Sequence, residues 1–156
     1  MRKATLCFVK KGDKILMINR NKPPFVGMWN AVGGKVKEGE SVTECALREI
    51  KEESGVIAER AEVFSVFTWN YDDEVGYATL SVLPDDYDET RFPMETEEGL
   101  VTFKNIDWII SPKNYGVIDD LKIFIGDIKN GKKADYHLIY EGKTLVKAIE
   151  KPHAEN

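Results

Sequence analysis

Six glutamates, Glu38, Glu40, Glu44, Glu49, Glu52 and Glu53, fall within sixteen consecutive residues, between a glycine pair (Gly33-Gly34) and Gly55. On a wheel of 3.6 residues per turn, Glu49, Glu52 and Glu53 share an arc with Val42, Cys45, Ala46 and Ile50, the side expected to face the protein. Carboxylates crowded against an apolar face are costly, because burial disfavours their charge and each raises the pKa of the next. Protonation relieves that cost, and so does a cation. Clustered carboxylate oxygens suit a hard divalent ion, Mg²⁺ or Mn²⁺, especially when substrate phosphates complete its shell. The plainer reading is a charged surface helix laced by Glu–Arg pairs, with Arg48 spaced to reach Glu44 or Glu52.

The acids need a helix to hold them, and the local sequence predicts one over residues 41–54. Ser41 followed by Glu44 is a capping-box pattern, and Gly55 stands where the helix would stop. Upstream, residues 4–10 and 14–19 are short apolar runs around Lys11-Gly12-Asp13, a hairpin signal. Residues 20–40 hold two of the six prolines and four of the twelve glycines, which predicts loop. Residues 61–71 and 75–83 are rich in β-branched and aromatic side chains and read as strands. Residues 84–99 read as a polar surface loop, and residues 100–109 as another strand and its exit. Leu121, Phe124, Ile125 and Ile128 fall at helical spacing within 119–129, with Gly131 near the end. Residues 134–140 and 143–150 flank Glu141-Gly142 as a closing hairpin. Two helices among six or seven strands predict a mixed α/β sandwich with a sheet core, not a doubly wound parallel sheet.

Composition narrows the function classes. A chain of 156 residues fits one domain, 1–156, and can bury a real core. Its net charge of −5 argues against a non-specific DNA binder, and no stable nucleic-acid complex is expected. An acidic protein still binds an anionic substrate when a cation bridges the two. Cys7 and Cys45 are expected as buried free thiols, since two cysteines alone make no metal cage. The short N-terminal apolar run is no signal peptide, and no stretch reaches membrane-spanning length, so a cytoplasmic protein without membrane partners is expected. Gly33-Gly34 lacks the Lys-Ser/Thr ending of a P-loop, and no EF-hand pattern is present. His137 and His153 have no partner at ligand spacing.

Residues 34–56 resemble the Nudix box of the Nudix hydrolase superfamily. Gly34, Glu40, Arg48, Glu49, Ile50, Glu52, Glu53, Gly55 and Val56 fill its nine positions without a mismatch. The resemblance implies an α/β/α sandwich with a mixed sheet and two main helices, and metal-dependent hydrolysis of a nucleoside diphosphate linked to another group. It implies metal binding by Glu49, Glu52 and Glu53, with the Gly33 carbonyl often completing a shell. One of the acids would activate water, and Arg48 would orient a catalytic glutamate.

The flanking residues are similar to those of MutT-like enzymes that clear oxidised purine nucleoside triphosphates such as 8-oxo-dGTP. That likeness assigns base binding to Asn30 and to the pair Asp119-Asp120, matches Thr5 and Arg20 in position, and assigns a further metal ligand to Glu98. Lys35 joins Arg20 as a source of positive charge toward the phosphates. Val117-Ile118 stand where animal members of the group carry Trp-Pro, with the Trp stacking on the purine. Such stacking is worth about 1–3 kcal/mol, and Tyr115 or Trp69 could serve instead. Each of these residues also has a plainer reading: a helix cap for Asp119 or Asp120, a turn residue for Asn30, a solvated loop acid for Glu98. Trp29 reads as packing. Other expectations stay open: hydrolysis of ADP-ribose, a dinucleoside polyphosphate or an RNA 5′ end, or a non-catalytic nucleotide sensor. The protein would act as a monomer or homodimer.

Overall fold

The computed structural model describes residues 1–154. Strands β1 (Arg2–Lys11) and β2 (Lys14–Arg20) form the expected hairpin, but they pair only at Lys10–Ile15 and Lys11–Lys14. Beyond that point they fork. β3 (Trp29–Asn30) pairs with β2, and β4 (Val32–Lys35) pairs with β1 from Ala4 to Cys7. The chain then forms helix α1 (Val42–Ser54), β5 (Glu62–Trp69), β6 (Glu74–Val82), β7 (Met94–Thr96) and β8 (Gly99–Asn105). Short helix α2 (Ile106–Ile110), helix α3 (Asp119–Asn130) and the hairpin β9 (Ala134–Glu141) with β10 (Thr144–Pro152) complete it.

The sheet runs β10-β9-β5-β6-β1-β2-β8-β7. The β1–β6 and β5–β9 pairs are parallel and the others antiparallel, which makes the sheet mixed. Period-two alternation sorts side chains to its two faces. Phe8, Ile15 and Met17 pack on one face with Ile109 of α2 and Leu121, Phe124 and Ile125 of α3. Cys7, Val9, Leu16 and Ile18 pack on the other with Ala46 and Ile50 of α1. Burial on both faces explains why these strands read as continuous apolar runs. The result is the mixed α/β sandwich that the element pattern predicts, layered α/β/α as the resemblance implies. No helix among the described residues is long and apolar enough to cross a membrane.

Four expectations change. The loop expected over 20–40 contains β3 and β4, and the loop expected over 84–99 contains β7. These strands have two to four residues, too few to show a period. The exit after β8 is helical, because Asn105 caps α2 through Asp107 N–H at 2.9 Å. Neither Asp119 nor Asp120 caps α3: Ile118 holds the cap position, without a side-chain bond.

Helix α1 begins as the sequence predicts. The Ser41 hydroxyl accepts from Glu44 N–H and the Glu44 carboxylate accepts from Ser41 N–H, each at 3.0 Å. Gly55 ends the helix in the left-handed region, φ 74°, and its N–H bonds the Lys51 carbonyl. Ser41→Ala should therefore cost about 1 kcal/mol of stability, read as a lower denaturant midpoint with unchanged m-value. A stability within about 0.3 kcal/mol of wild type would show that the cap does not hold the helix start.

Candidate active site

Glu49, Glu52 and Glu53 of α1 line one cleft with Thr96, Glu97 and Glu98 from the β7–β8 turn, enclosing about 380 Å³. The cleft brings Glu98 to the helix acids from across the chain. Burial pushes Glu53 up to about 7, with the charges of Glu49 and Glu98 adding to the rise. Gly33 N–H, donating to Glu53 Oε2 at 3.1 Å, and the Arg20 charge work against it. Burial also raises Glu49, against the opposing pull of Arg48.

Arg48 organises the acids. Its Nε and Nη2 donate to the two oxygens of Glu40 at 2.6 and 2.9 Å, a bidentate fork. Its Nη1 donates to Glu49 Oε1 at 2.8 Å and Glu52 Oε2 at 3.1 Å, and its Nη2 to the Lys35 carbonyl at 3.2 Å. Of the two partners expected by spacing, Glu52 is engaged, whereas Glu44 is taken by the cap. The Arg48 guanidinium holds the Glu40 carboxyl down at about 2. The partnership with Glu40 escaped the sequence reading because the two residues lie on different elements. In this arrangement no three His, Cys, Asp or Glu side chains among the described residues converge on one ion position. The donor chemistry still fits a hard divalent cation: five carboxylates face one cleft, and Glu53 carries the raised pKa that a bound cation would relieve.

A second cavity, about 520 Å³, opens between β1, β4, β5, β6, β9 and the start of α3. Thr5, Arg20, Asn30, Lys35 and Asp120 all line it, as does Gly34. Arg20 is fixed by its bonds to the carbonyls of Pro24 and Pro23, at 2.9 and 3.3 Å. Thr5 donates to the Gly34 carbonyl at 3.2 Å, so its hydroxyl secures the glycine strand. Asn30 Oδ1 accepts from Ala31 N–H at 2.8 Å, which leaves the amide N–H groups for a ligand. Asp120 is 6% exposed, and burial raises it to about 6, opposed by the neighbouring Tyr140 hydroxyl and Trp69 indole.

The structure separates the aspartate pair. Asp119 is not part of the cavity wall; its Oδ2 accepts from Leu145 N–H at 2.9 Å and ties α3 to the final hairpin. Successive helical residues point about 100° apart, so both cannot face one cavity equally. Of the two aromatic candidates, Trp69 lines the cavity, whereas Tyr115 is 84% exposed and lies outside it. Phe25, Phe67, Tyr71 and Tyr140 also line it and were not singled out from the sequence. Their common signal is weak: Tyr140 belongs to the buried alternation Ala134, Tyr136, Leu138, Tyr140, which marks an inward face without saying what lies there. Trp29 packs edge-on against Trp108 at 6.0 Å, as expected of a packing residue. Cys7 and Cys45 are buried free thiols.

Comparison with known proteins agrees with this geometry. The family model described as NUDIX domain matches residues 1–120. An ADP-ribose pyrophosphatase of Methanocaldococcus jannaschii is 42% identical over 60 residues, covering 38% of this chain and 36% of that protein. An oxidized purine nucleoside triphosphate hydrolase of Mus musculus is 40% identical over 52 residues, 33% of each chain. The chain thus spans about a third of the length of these relatives. The crystal structure of a MutT protein from Bacillus halodurans superposes with a TM-score of 0.78 over 99% of this chain and all of that one, at 20% identity, which speaks for the fold alone.

Proposed function

The chain belongs to the NUDIX family, and from that premise we propose that it is a metal-dependent pyrophosphohydrolase of nucleoside triphosphates, acting on oxidised purines such as 8-oxo-dGTP. One observation carries this reading: the acidic cleft and the larger cavity meet at the glycine strand β4. Gly33 N–H binds Glu53 of the cleft, while Gly34 and Lys35 line the cavity. A base held between Asn30 and Asp120 then places its phosphates along Gly34 and Lys35, toward the acids. Arg20, which lines the cavity and whose charge acts on Glu53, offsets phosphate charge at the junction.

Glu49, Glu52, Glu53 and Glu98, with the Gly33 carbonyl, would hold Mg²⁺ or Mn²⁺, which when bound supplies phosphate charge neutralisation and a more acidic water. Glu53 or Glu49 takes the proton from the attacking water, a role suited to a carboxylate lifted toward neutral pH. Arg48 keeps the acids in position. The products are a nucleoside monophosphate and pyrophosphate, with no covalent enzyme intermediate.

The test is a substrate panel with Mg²⁺: 8-oxo-dGTP, dGTP, dCTP, ADP-ribose and a dinucleoside polyphosphate, with products separated by chromatography. The expected result is the highest kcat/KM for 8-oxo-dGTP. Equal values for 8-oxo-dGTP, dGTP and dCTP would show that the cavity does not read the base, and a clear preference for ADP-ribose would replace the proposed substrate. Within that panel, Asn30→Ala and Asp120→Ala should raise KM by about 5–150-fold, the cost of unpaired polar groups at about 1–3 kcal/mol, with a smaller change in kcat. Unchanged KM in both variants would place the base elsewhere.

A further inference from the structure

The acidic cleft has no basic side chain in its own wall, yet a polyanionic substrate needs positive charge there. Arg48 cannot turn to a phosphate. A guanidinium has five N–H donors, and those of Arg48 are committed. Nε binds Glu40, Nη1 binds Glu49 and Glu52, and Nη2 binds Glu40 and the Lys35 carbonyl. Among the described residues, one lysine pairs with an acid of the cleft: Lys22 Nζ lies 3.5 Å from Glu98 Oε1.

The backbone builds this meeting. Lys22 belongs to the loop 21–28 between β2 and β3, and Glu98 to the β7–β8 turn. Asn21 N–H donates to the Glu98 carbonyl at 3.1 Å. Beside it, Arg20 and Gly99 are ladder partners of β2 and β8. The approach there is close, because a Cβ on Gly99 would overlap the Asn19 carbonyl oxygen. Thr96 holds the turn: its hydroxyl donates to the Gly99 carbonyl at 2.8 Å and accepts from Glu98 N–H at 3.3 Å. The Arg20 guanidinium holds the loop through Pro23 and Pro24, and Asn19 Nδ2 donates to the Gly27 carbonyl at 3.0 Å. Both main chains are fixed, whereas the Lys22 ammonium is not. Its side chain is 53% exposed, and 3.5 Å is longer than a formed hydrogen bond.

We propose that Lys22 is a phosphate-binding residue of the reaction: its ammonium rests on the Glu98 carboxylate in the free protein and passes to the two phosphates that leave as pyrophosphate when a divalent cation takes that carboxylate. The inference deepens the nucleotide-hydrolase reading and rests on it. The exchange follows from charge. A divalent cation attracts a carboxylate about twice as strongly as an ammonium at equal distance, and it repels the ammonium beside it. Lysine suits the move, being a compact charge with rotatable donors on a flexible stem, whereas Arg20 and Arg48 are held in place. Position suits it too. The proposed phosphates run from Gly34 and Lys35 toward the acids, so a group beside Glu98 meets their far end.

The experiment is a pair of calorimetric titrations of wild type, Lys22→Met and Lys22→Arg: Mn²⁺ alone, and inorganic pyrophosphate at saturating Mg²⁺. Lys22→Met removes the charge and keeps most of the stem. It should bind Mn²⁺ about threefold more tightly, because a competing exposed ion pair is gone. It should bind pyrophosphate about tenfold more weakly, because a charge-assisted hydrogen bond is lost. Lys22→Arg, which keeps the charge, should stay within about threefold of wild type for both ligands. A lysine that merely props the turn would lower both affinities together when lost. Any result for Lys22→Met other than the two opposite shifts overturns the inference, as does a Lys22→Arg protein that behaves like Lys22→Met. Failure of wild type to bind pyrophosphate overturns it as well. The hydrolase reading is decided separately, by whether the product panel yields a monophosphate and pyrophosphate.

Discussion

Glu53→Gln should lower turnover by about 10²-fold or more at saturating Mg²⁺, and Glu49→Gln should do the same, the usual scale for losing a general base or metal ligand. Both acids line the cleft with Glu52 and Glu98, and both are raised by burial. The amide keeps the size of the side chain. In Glu53→Gln it also keeps an acceptor for Gly33 N–H, now at 3.1 Å from Glu53. What it removes is negative charge in a crowded acidic site. The fold should therefore survive, and the Glu53 variant should equal or exceed wild type in denaturant midpoint, because a desolvated charge and its repulsion by Glu49 and Glu98 are gone. Turnover within about threefold of wild type in both variants would remove the cleft from the chemistry.

Gly33→Ala should be the most damaging single methyl group in the site, costing about 3 kcal/mol of stability together with most of the activity. A Cβ built on Gly33 would lie 2.1 Å from the Thr5 carbonyl oxygen and 3.0 Å from its carbon. Both are backbone atoms of β1, paired with β4 through Leu6–Gly33 and Thr5–Gly34, so neither moves without breaking the ladder. Any shift of β4 also withdraws the N–H that binds Glu53. Gly34→Ala makes a useful contrast. Its Cβ would lie 2.4 Å from Glu49 Oε1, a side-chain atom that can swing aside. That variant should lose activity through a displaced Glu49 while losing less stability than Gly33→Ala. The two are read together as unfolding midpoint against kcat/KM. Equal stability of Gly33→Ala and wild type would contradict the close β1–β4 approach.

The helix that carries the acids was legible because its signals are local. The Ser41–Glu44 cap, the apolar arc of Val42, Cys45, Ala46 and Ile50, and the stop at Gly55 lie within fifteen residues, and the structure realises each. The long strands were legible for a related reason: burial on both faces writes a continuous apolar run such as Leu6–Val9. What was not legible depends on tertiary placement. Strands β3 and β4 are held by partners on β2 and β1, not by any propensity of Trp29-Asn30 or Val32–Lys35. The roles of Asp119 and Asp120 differ because one meets the final hairpin and the other the cavity, which adjacent identical residues cannot announce. Glu98 was reachable only through the resemblance, since nothing in its loop sequence tells of the acids it meets across the cleft. Tyr140 could be assigned an inward face, but not the cavity that it lines.

In the proposed reaction, water cleaves a pyrophosphate bridge in a triphosphate held between the cavity and the acidic cleft. Hydrolysis of 8-oxo-dGTP by the wild-type protein in ¹⁸O-water, with Mg²⁺ and mass analysis of the first products, tests it most directly. The prediction is one monophosphate and one pyrophosphate per turnover, with the label in pyrophosphate, as attack at the β-phosphorus requires. Label confined to the monophosphate would move the attack to the α-phosphorus within the same reaction class. Orthophosphate as the sole initial product, or no hydrolysis, would contradict the claim.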